Sequence, residues 1–257
     1  MAIEFDLISD LHLVDNDFDW SGQATSGFCL VLGDIALDRK ILVETMKKIA
    51  DNYVMVMYID GNLELKNNLT NLDHGYQTLV QDLKKIKNLN FMYDNMIVLN
   101  DVAFVGCNGW WTFDFHDQFS GHDAEQWYCR VVGHPCDTTQ ISLSAINDLS
   151  YLHNSIKKLQ QHNEIRHIVI GTHTVPRLDL IQHNLDFVNN IKLNVMGNQL
   201  LDHVRIIDRK NKIHTWCFGH YHGTVDRIID NVRYVNNCRG RKQGDFLPYY
   251  PKRIVIN

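Results

Sequence analysis

The sequence predicts an α/β layered domain, with sheet inside and helices outside. Three features predict it: apolar runs of strand length that end in small or polar residues, amphipathic stretches of helical period between them, and short strand-like segments near the end. The runs are Ile3 to Ile8, Phe28 to Leu32, Tyr53 to Ile59, His167 to Ile170 and Ile213 to Phe218. They are continuous rather than alternating, which fits strands buried on both faces.

Between the runs, Leu72, Tyr76, Leu79, Val80, Leu83 and Ile86 recur at three- and four-residue spacing and predict a helix over 72–86. Leu143, Ile146, Leu149, Leu152, Ile156 and Leu159 predict another over 143–159, and Ile41, Leu42, Met46 and Ile49 a weaker one over 38–50. After His222 the pattern changes to short strands, Thr224 to Ile229, Val232 to Asn236 and Arg253 to Ile256, with Asp230-Asn231 as a hairpin turn. Only 109–140 breaks the alternation. It sets Trp110, Trp111, Phe113, Phe115, Phe119, Trp127 and Tyr128 among His116, His122 and His134 without a clean period. It reads as an insertion or cap over one end of the sheet, its aromatics as packing. With no internal repeat and no Pro/Ser-rich linker, a single domain over 1–257 is expected.

Composition narrows the function. Hydrophobic residues are 45% and charged residues 21% of the 257, which excludes disorder, collagen and low complexity. Apolar runs stop within about seven residues, far short of the ~18 that a membrane helix needs. Glu4 and Asp6 stand where a secretory leader would be basic and then apolar, so a soluble, cytoplasmic chain is expected. A net charge of −5 and a pI near 6.2 argue against an extended nucleic-acid surface but leave room for a local anion site. Six scattered cysteines form no CxxC pair, and four of them read as buried thiols. The chain also has fourteen histidines, and histidine is the commonest metal ligand among side chains.

Ligands in open α/β sheets gather at the carboxyl ends of the strands. Here five strand ends deliver Asp10 and His12, then Asp34, Asn62, His173, and finally His220 and His222. Two carboxylates, one amide oxygen and four imidazoles exceed what one divalent ion takes, whereas two ions sharing a carboxylate would use them all. Oxygen and nitrogen donors without thiolate favour Mn²⁺, with Fe, Zn²⁺ or Ni²⁺ as alternatives, over Ca²⁺ or a structural zinc. Residues two apart on an extended segment face one side, so Asp10 and His12 could reach one metal; the imidazoles of His220 and His222 again lie two apart. Gly33 and Gly219 allow tight turns before Asp34 and His220. Asn62, neutral, keeps the charge low enough to accept a phosphate.

The ordered set Asp-x-His, Gly-Asp, Gly-Asn, Thr-His and Gly-His-x-His, from residue 10 to 222, resembles the calcineurin-like metallophosphoesterase superfamily. Val235-Asn236-Asn237-Cys238-Arg239-Gly240 resembles the Asn-x-Arg-Gly segment of its bacterial and phage members, and Gly109-Trp110-Trp111-Thr112-Phe113-Asp114 their Leu-Trp-Thr-Asp stretch. The resemblance implies a four-layer sandwich of two mixed β-sheets flanked by helices. It implies one metal on Asp10, His12, Asp34 and His222, and a second on Asp34, Asn62, His173 and His220, bridged by Asp34. A hydroxide shared by the metals would attack phosphorus in line with the leaving group. Catalytic roles would fall on Asp34, Asn62, His220 and Arg239.

One departure from that family is informative. Its Gly-Asn-His-Asp/Glu motif reads Gly61-Asn62-Leu63-Glu64 here, and in the family that histidine serves the leaving-group oxygen. Leucine cannot donate a proton, a service worth about 10²–10⁴-fold and needed most for dianionic monoesters. A small phosphodiester, nucleotide-like, is therefore the expected substrate. Also, Gly33-Asp34-Ile35-Ala36-Leu37-Asp38-Arg39 lacks the protein Ser/Thr phosphatase register. Two other readings stay open: a phosphomonoesterase using His116, His122 or water as acid, and a scaffold that kept the fold without turnover. Arg239-Gly240-Arg241-Lys242 reads equally as a phosphate contact or a solvated basic turn.

Overall fold

The computed structural model describes residues 2–15, 18–20, 22–93, 95–116, 119–181, 191–240 and 248–257. Arg241, Lys242 and His183 lie outside the described residues. The strands are β1 (Ile3–Ile8), β2 (Phe28–Leu32), β3 (Met55–Ile59), β4 (Leu89–Phe91), β5 (Met96–Leu99), β6 (Val102–Cys107), β7 (His167–Thr172), β8 (Ile213–Phe218), β9 (Asp226–Ile229), β10 (Val232–Asn236) and β11 (Lys252–Ile256). One mixed sheet runs β11-β1-β2-β3-β4, the other β5-β6-β7-β8-β10-β9. Both are parallel at their centres; the first is antiparallel at one edge and the second at both.

The two sheets bury a shared apolar layer. Phe5, Leu7, Leu30, Leu32, Met57 and Ile59 of the first sheet pack against Val102, Phe104, Val169, Cys217 and Val235 of the second. The rings of Phe5 and Phe104 meet edge-on at 5.3 Å. On the opposite faces, Val31, Val56 and Tyr58 pack with α1 (Arg39–Ala50) and α2 (Leu72–Leu83), while Ile168, Ile170 and Trp216 pack with α4 (Thr138–Leu159). The layers thus run helix, sheet, sheet, helix. Each fully buried aliphatic or Phe side chain contributes about 1.5–3 kcal/mol over exposure. None of the described helices is long and apolar enough to cross a membrane.

Helix starts follow local chemistry. Asp38 accepts from Lys40 N and Ile41 N, Asn71 from His74 N, and Asp137 from Thr139 N and Gln140 N, each cap being worth about 1 kcal/mol. Within 109–140 a helix forms, α3 (Gly121–Val132), capped by Ser120 and ended by Gly133 at φ 70°. Its buried stripe, Ala124, Tyr128 and Val132, is short and holds a single branched aliphatic residue, which hid its period. Trp110, Trp111, Phe113 and Phe115 are buried, so this part of the aromatic cluster is packing.

Three further expectations shift. α4 begins five residues before 143, and Leu143 and Ile146 are about half exposed, because Ile141, Ala145 and Asp148 turn inward instead. β4, β5 and β6 were not among the expected runs; β4 and β5 have only three and four residues, and β6, six residues long and wholly buried, follows a turn at Asn100 with φ 55°. The last strand joins no terminal hairpin with β9 and β10. It crosses to the other sheet and pairs antiparallel with β1. Asp230 (φ 49°) and Asn231 (φ 65°) do make the tight β9–β10 turn. Three cysteines, Cys29, Cys107 and Cys217, are buried and Cys238 is partly so.

Candidate metal centre

The carboxyl ends of β1, β2, β3, β7 and β8 converge at one place. There the backbone leaves extended geometry: Asp10 (φ 53°), His12 (φ 47°), Asp34 (φ 53°) and His220 (φ 62°) all occupy the left-handed region. Such a conformation costs a non-glycine residue roughly 1–2 kcal/mol, and it persists because the neighbouring chain fixes it. Asp10 N donates to Gly33 O (3.0 Å), His12 N to Asp34 O (3.0 Å) and Leu13 N to Ile35 O (2.8 Å). Asp10 and His12 therefore meet through paired left-handed turns, and not through the extended alternation that their spacing suggests.

The glycines divide their work. Gly33 has φ 73°, and a Cβ there would stand 2.2 Å from Gly61 N, so the loops after β2 and β3 touch only without side chains. Gly219 makes no left-handed turn; His220 does. A Cβ on Gly219 would strike Ser9 Oγ and Asp10 Oδ2, so this glycine serves close approach.

The side chains form two groups. In one, the ligand-capable atoms of Asp10, His12 and His222 lie within 4.8 Å of one another; in the other, those of Asp34, His173 and His220 do. His12 Nε2 and His222 Nε2 are 2.9 Å apart, with Asp10 Oδ1 3.7 Å and 3.4 Å away. Asp34 lies between the groups. Its Oδ2 is 3.7 Å from His12 Nε2, and its Oδ1 is 3.4 Å from His173 Nε2. Asn62 Oδ1 completes the second group at 3.0 Å from His173 Nε2.

Surrounding bonds orient these donors. His173 Nδ1 donates to Leu32 O (2.7 Å), which turns Nε2 toward Asn62 and Asp34. His220 Nε2 donates to Val195 O (3.0 Å), leaving Nδ1 for the cluster, and its ring stacks on buried Trp111 at 5.5 Å. Asp10 accepts from Ser9 Oγ, from Cys238 Sγ (3.1 Å) and from His220 N (3.0 Å). Glu64, 2% exposed, accepts from Asp34 N (2.9 Å), Ile35 N (2.6 Å) and Gly61 N (2.8 Å), clamping the β2 loop to the β3 loop. Sequence reasoning noted Glu64 only as part of a motif and gave no role to Trp111 or Cys238. The Glu at the end of Gly-Asn-Leu-Glu was the one signal present.

The electrostatics call for positive charge. Burial would raise the Asp10 pKa, yet hydrogen bonds from His12 and His222 and the charge of His173 hold it well below the usual carboxylate range. Burial would lower that of His173, but Asp34 and Asp10 raise it. Burial and the nearby His173 instead take His220 down to about 4. Burial and Asp34 push Glu64 up to about 7, against the pull of its backbone bonds. A neutral His173 would point a lone pair at two acceptor oxygens, so a proton or a cation belongs there. Acceptor nitrogens and oxygens from five segments, aimed at two points, suit a pair of divalent ions.

A cleft of about 760 Å³ opens on this cluster, lined by His12, Asp34, Asn62, His220 and His222. Trp127 and Val131 of α3, Lys192, Val195 and Met196 from the segment at 191–196, and Tyr221 form the rest of its wall. His222 is the exposed edge, whereas Asp10 and His173 are fully buried. Arg239 Nη1 donates to Leu11 O (2.8 Å), and its guanidinium lies over Phe18 at 5.4 Å. These contacts hold the turn between Asp10 and His12. His116 N donates to Asn194 Oδ1, and His122 is exposed and bonded to Gln126; neither lines the cleft.

No protein-family model and no curated protein sequence matches this chain. Solved structures do. The phosphopantetheinyl hydrolase PptH of Mycobacterium tuberculosis superimposes with a TM-score of 0.67 at 14% identity, over 92% of this chain and 89% of that one. A putative 5'-nucleotidase of Staphylococcus aureus gives a TM-score of 0.53 at 13% identity, over 93% of this chain and 49% of that one. The chain has the metallophosphoesterase fold.

Proposed function

We propose that this protein is a phosphoester hydrolase that works with two divalent cations, Mn²⁺ foremost, and prefers phosphodiesters. The observation that carries the reading is Asp34, whose two oxygens face two separate donor groups. One ion would rest on Asp10, His12, Asp34 and His222, the other on Asp34, Asn62, His173 and His220. When bound, such a pair polarises phosphoryl oxygens and lowers the pKa of water toward neutrality. The two solved neighbours, named as a phosphopantetheinyl hydrolase and a 5'-nucleotidase, act on phosphate-bearing molecules by name, which supports the same class here.

The chain's own residues set the rest. Asp10 and Asp34 are the only carboxylates in the two donor groups, so two dications leave the cluster net positive and ready for an anionic ester. Trp127 and Tyr221 offer apolar walls and Lys192 a cation within a cleft of small-molecule size, which fits a compact nucleotide-like substrate. Leu63 N donates to Asp34 Oδ1 (2.7 Å), so that side chain stands beside the cluster without a proton to give. His220 Nε2 is committed to Val195 O and does not serve as that acid. Arg239 enters as the residue that steadies the Asp10–His12 turn. Six free cysteines fit a reducing compartment, which supports a cytoplasmic location.

The test is a Mn²⁺-supplemented assay of an aryl phosphomonoester against its bis-aryl diester, with linear and cyclic nucleotides alongside and Asp34→Asn as control. The diester is expected to turn over faster, with Asp34→Asn nearly silent. Faster monoester hydrolysis would remove the diester preference, and full activity in Asp34→Asn would remove the shared-carboxylate role.

A further inference from the structure

Away from the metal ligands, two thiols lie against each other. Cys129, exposed on α3, and Cys136, half-buried just before the Asp137 cap of α4, have their sulfur atoms 3.2 Å apart. Gly133, left-handed at φ 70°, ends α3 and turns the chain back so that positions seven apart meet. α3 also presents Trp127 and Val131 to the cleft. We infer that Cys129 and Cys136 form a reversible dithiol–disulfide pair whose oxidation fastens the end of α3 to the start of α4 and so fixes one wall of the cleft.

The geometry favours this pairing over others. Cys29, Cys107 and Cys217 are buried in the sheet layers, and Cys238 is occupied with Asp10. Burial and the adjacent Cys129 push the Cys136 thiol up to about 12, so the exposed Cys129 meets an oxidant first. With hydrogen peroxide as oxidant, the Cys129 thiolate takes one peroxide oxygen and hydroxide leaves, giving the sulfenic acid. Cys136 gives its proton to the released hydroxide and its sulfur attacks the Cys129 sulfur; the S–O bond breaks and the transferred oxygen leaves, protonated, as the second water. The sum is two thiols and one peroxide giving one disulfide and two waters. A dithiol reductant reverses it through a mixed disulfide. The anchoring of Asp137 N to Leu69 O (3.0 Å) gives the new bond a fixed partner.

Trypsin makes the test direct, because Arg130 lies between the two cysteines. The full chain is treated with hydrogen peroxide or with reductant, alkylated, digested and read by mass spectrometry without reduction. The pair predicts that the peptide ending at Arg130 and the peptide from Val131 to Lys157 stay linked after peroxide, and separate after reductant. Cys107 shares the first peptide, so Cys129→Ser must abolish the link while Cys107→Ser retains it. Amide exchange over 127–136 should slow by on the order of tenfold or more in the oxidised chain, as closure of so short a ring implies. Separate peptides with Cys129 free or overoxidised would overturn the inference, as would a link that survives Cys129→Ser. Unchanged exchange in the linked protein would overturn the fixing of the wall. None of these readouts depends on the proposed hydrolase activity.

Discussion

Asp148 tests how the fold supports the centre. It is a helix residue, 4% exposed, whose Oδ2 accepts from Gly109 N (2.7 Å) and Trp110 N (3.1 Å). Those amides begin the loop that places Trp111 under the ring of His220. Hydrogen bonds to a charged acceptor contribute about 1.5–3 kcal/mol each, so Asp148→Ala removes roughly 3–6 kcal/mol of contacts. Better helix propensity returns about 0.5 kcal/mol. A net loss of about 3–5 kcal/mol follows, or roughly 6–20 °C in Tm for a chain of this size. Asp148→Asn can set its single amide oxygen where Oδ2 stands and keep both bonds, so its loss should be about 1 kcal/mol. Urea unfolding in chelator, followed by tryptophan fluorescence, measures both variants without any contribution from metal binding. If Asp148→Ala lies within about 1 kcal/mol of the parent chain, or matches Asp148→Asn, the two backbone bonds do not anchor the loop.

Leu63→His should raise the monoester-to-diester ratio of kcat/KM by at least about tenfold, since a positioned acid is worth more than that; an unchanged ratio places the acid elsewhere. Trp111→Ala should cost about 3–5 kcal/mol as a large buried side chain and weaken the second metal, whereas Trp111→Phe should retain most of the metal affinity. Equal metal affinity in both variants, measured by titration calorimetry, would show that ring stacking does not hold His220.

The strands that end at the centre were legible because each is a continuous apolar run followed by an abrupt polar change, a signal contained within ten residues. Their order also pointed to seven side chains that the structure gathers at the strand ends. What was not legible depends on loops meeting in space. Glu64 binds backbone N–H groups about thirty residues earlier in the chain, and nothing in its own neighbourhood says so. The stack of Trp111 on His220 joins two sequence-distant loops. α3 escaped because its buried stripe includes only one branched aliphatic residue. The extended-segment argument for Asp10 and His12 reached a correct proximity by the wrong backbone, since both residues enter left-handed turns that backbone bonds to Gly33 and Asp34 stabilise.

The central claim is that donors from five strand ends hold a pair of cations with Asp34 between them. Elemental analysis of protein loaded with Mn²⁺ and then desalted tests it most directly, with Asp34→Asn beside the parent chain. The account predicts two manganese ions per chain in the parent and a loss of both, or much weaker retention, in the variant. A parent chain that holds one ion or none, or an Asp34→Asn chain that still holds two, would contradict it.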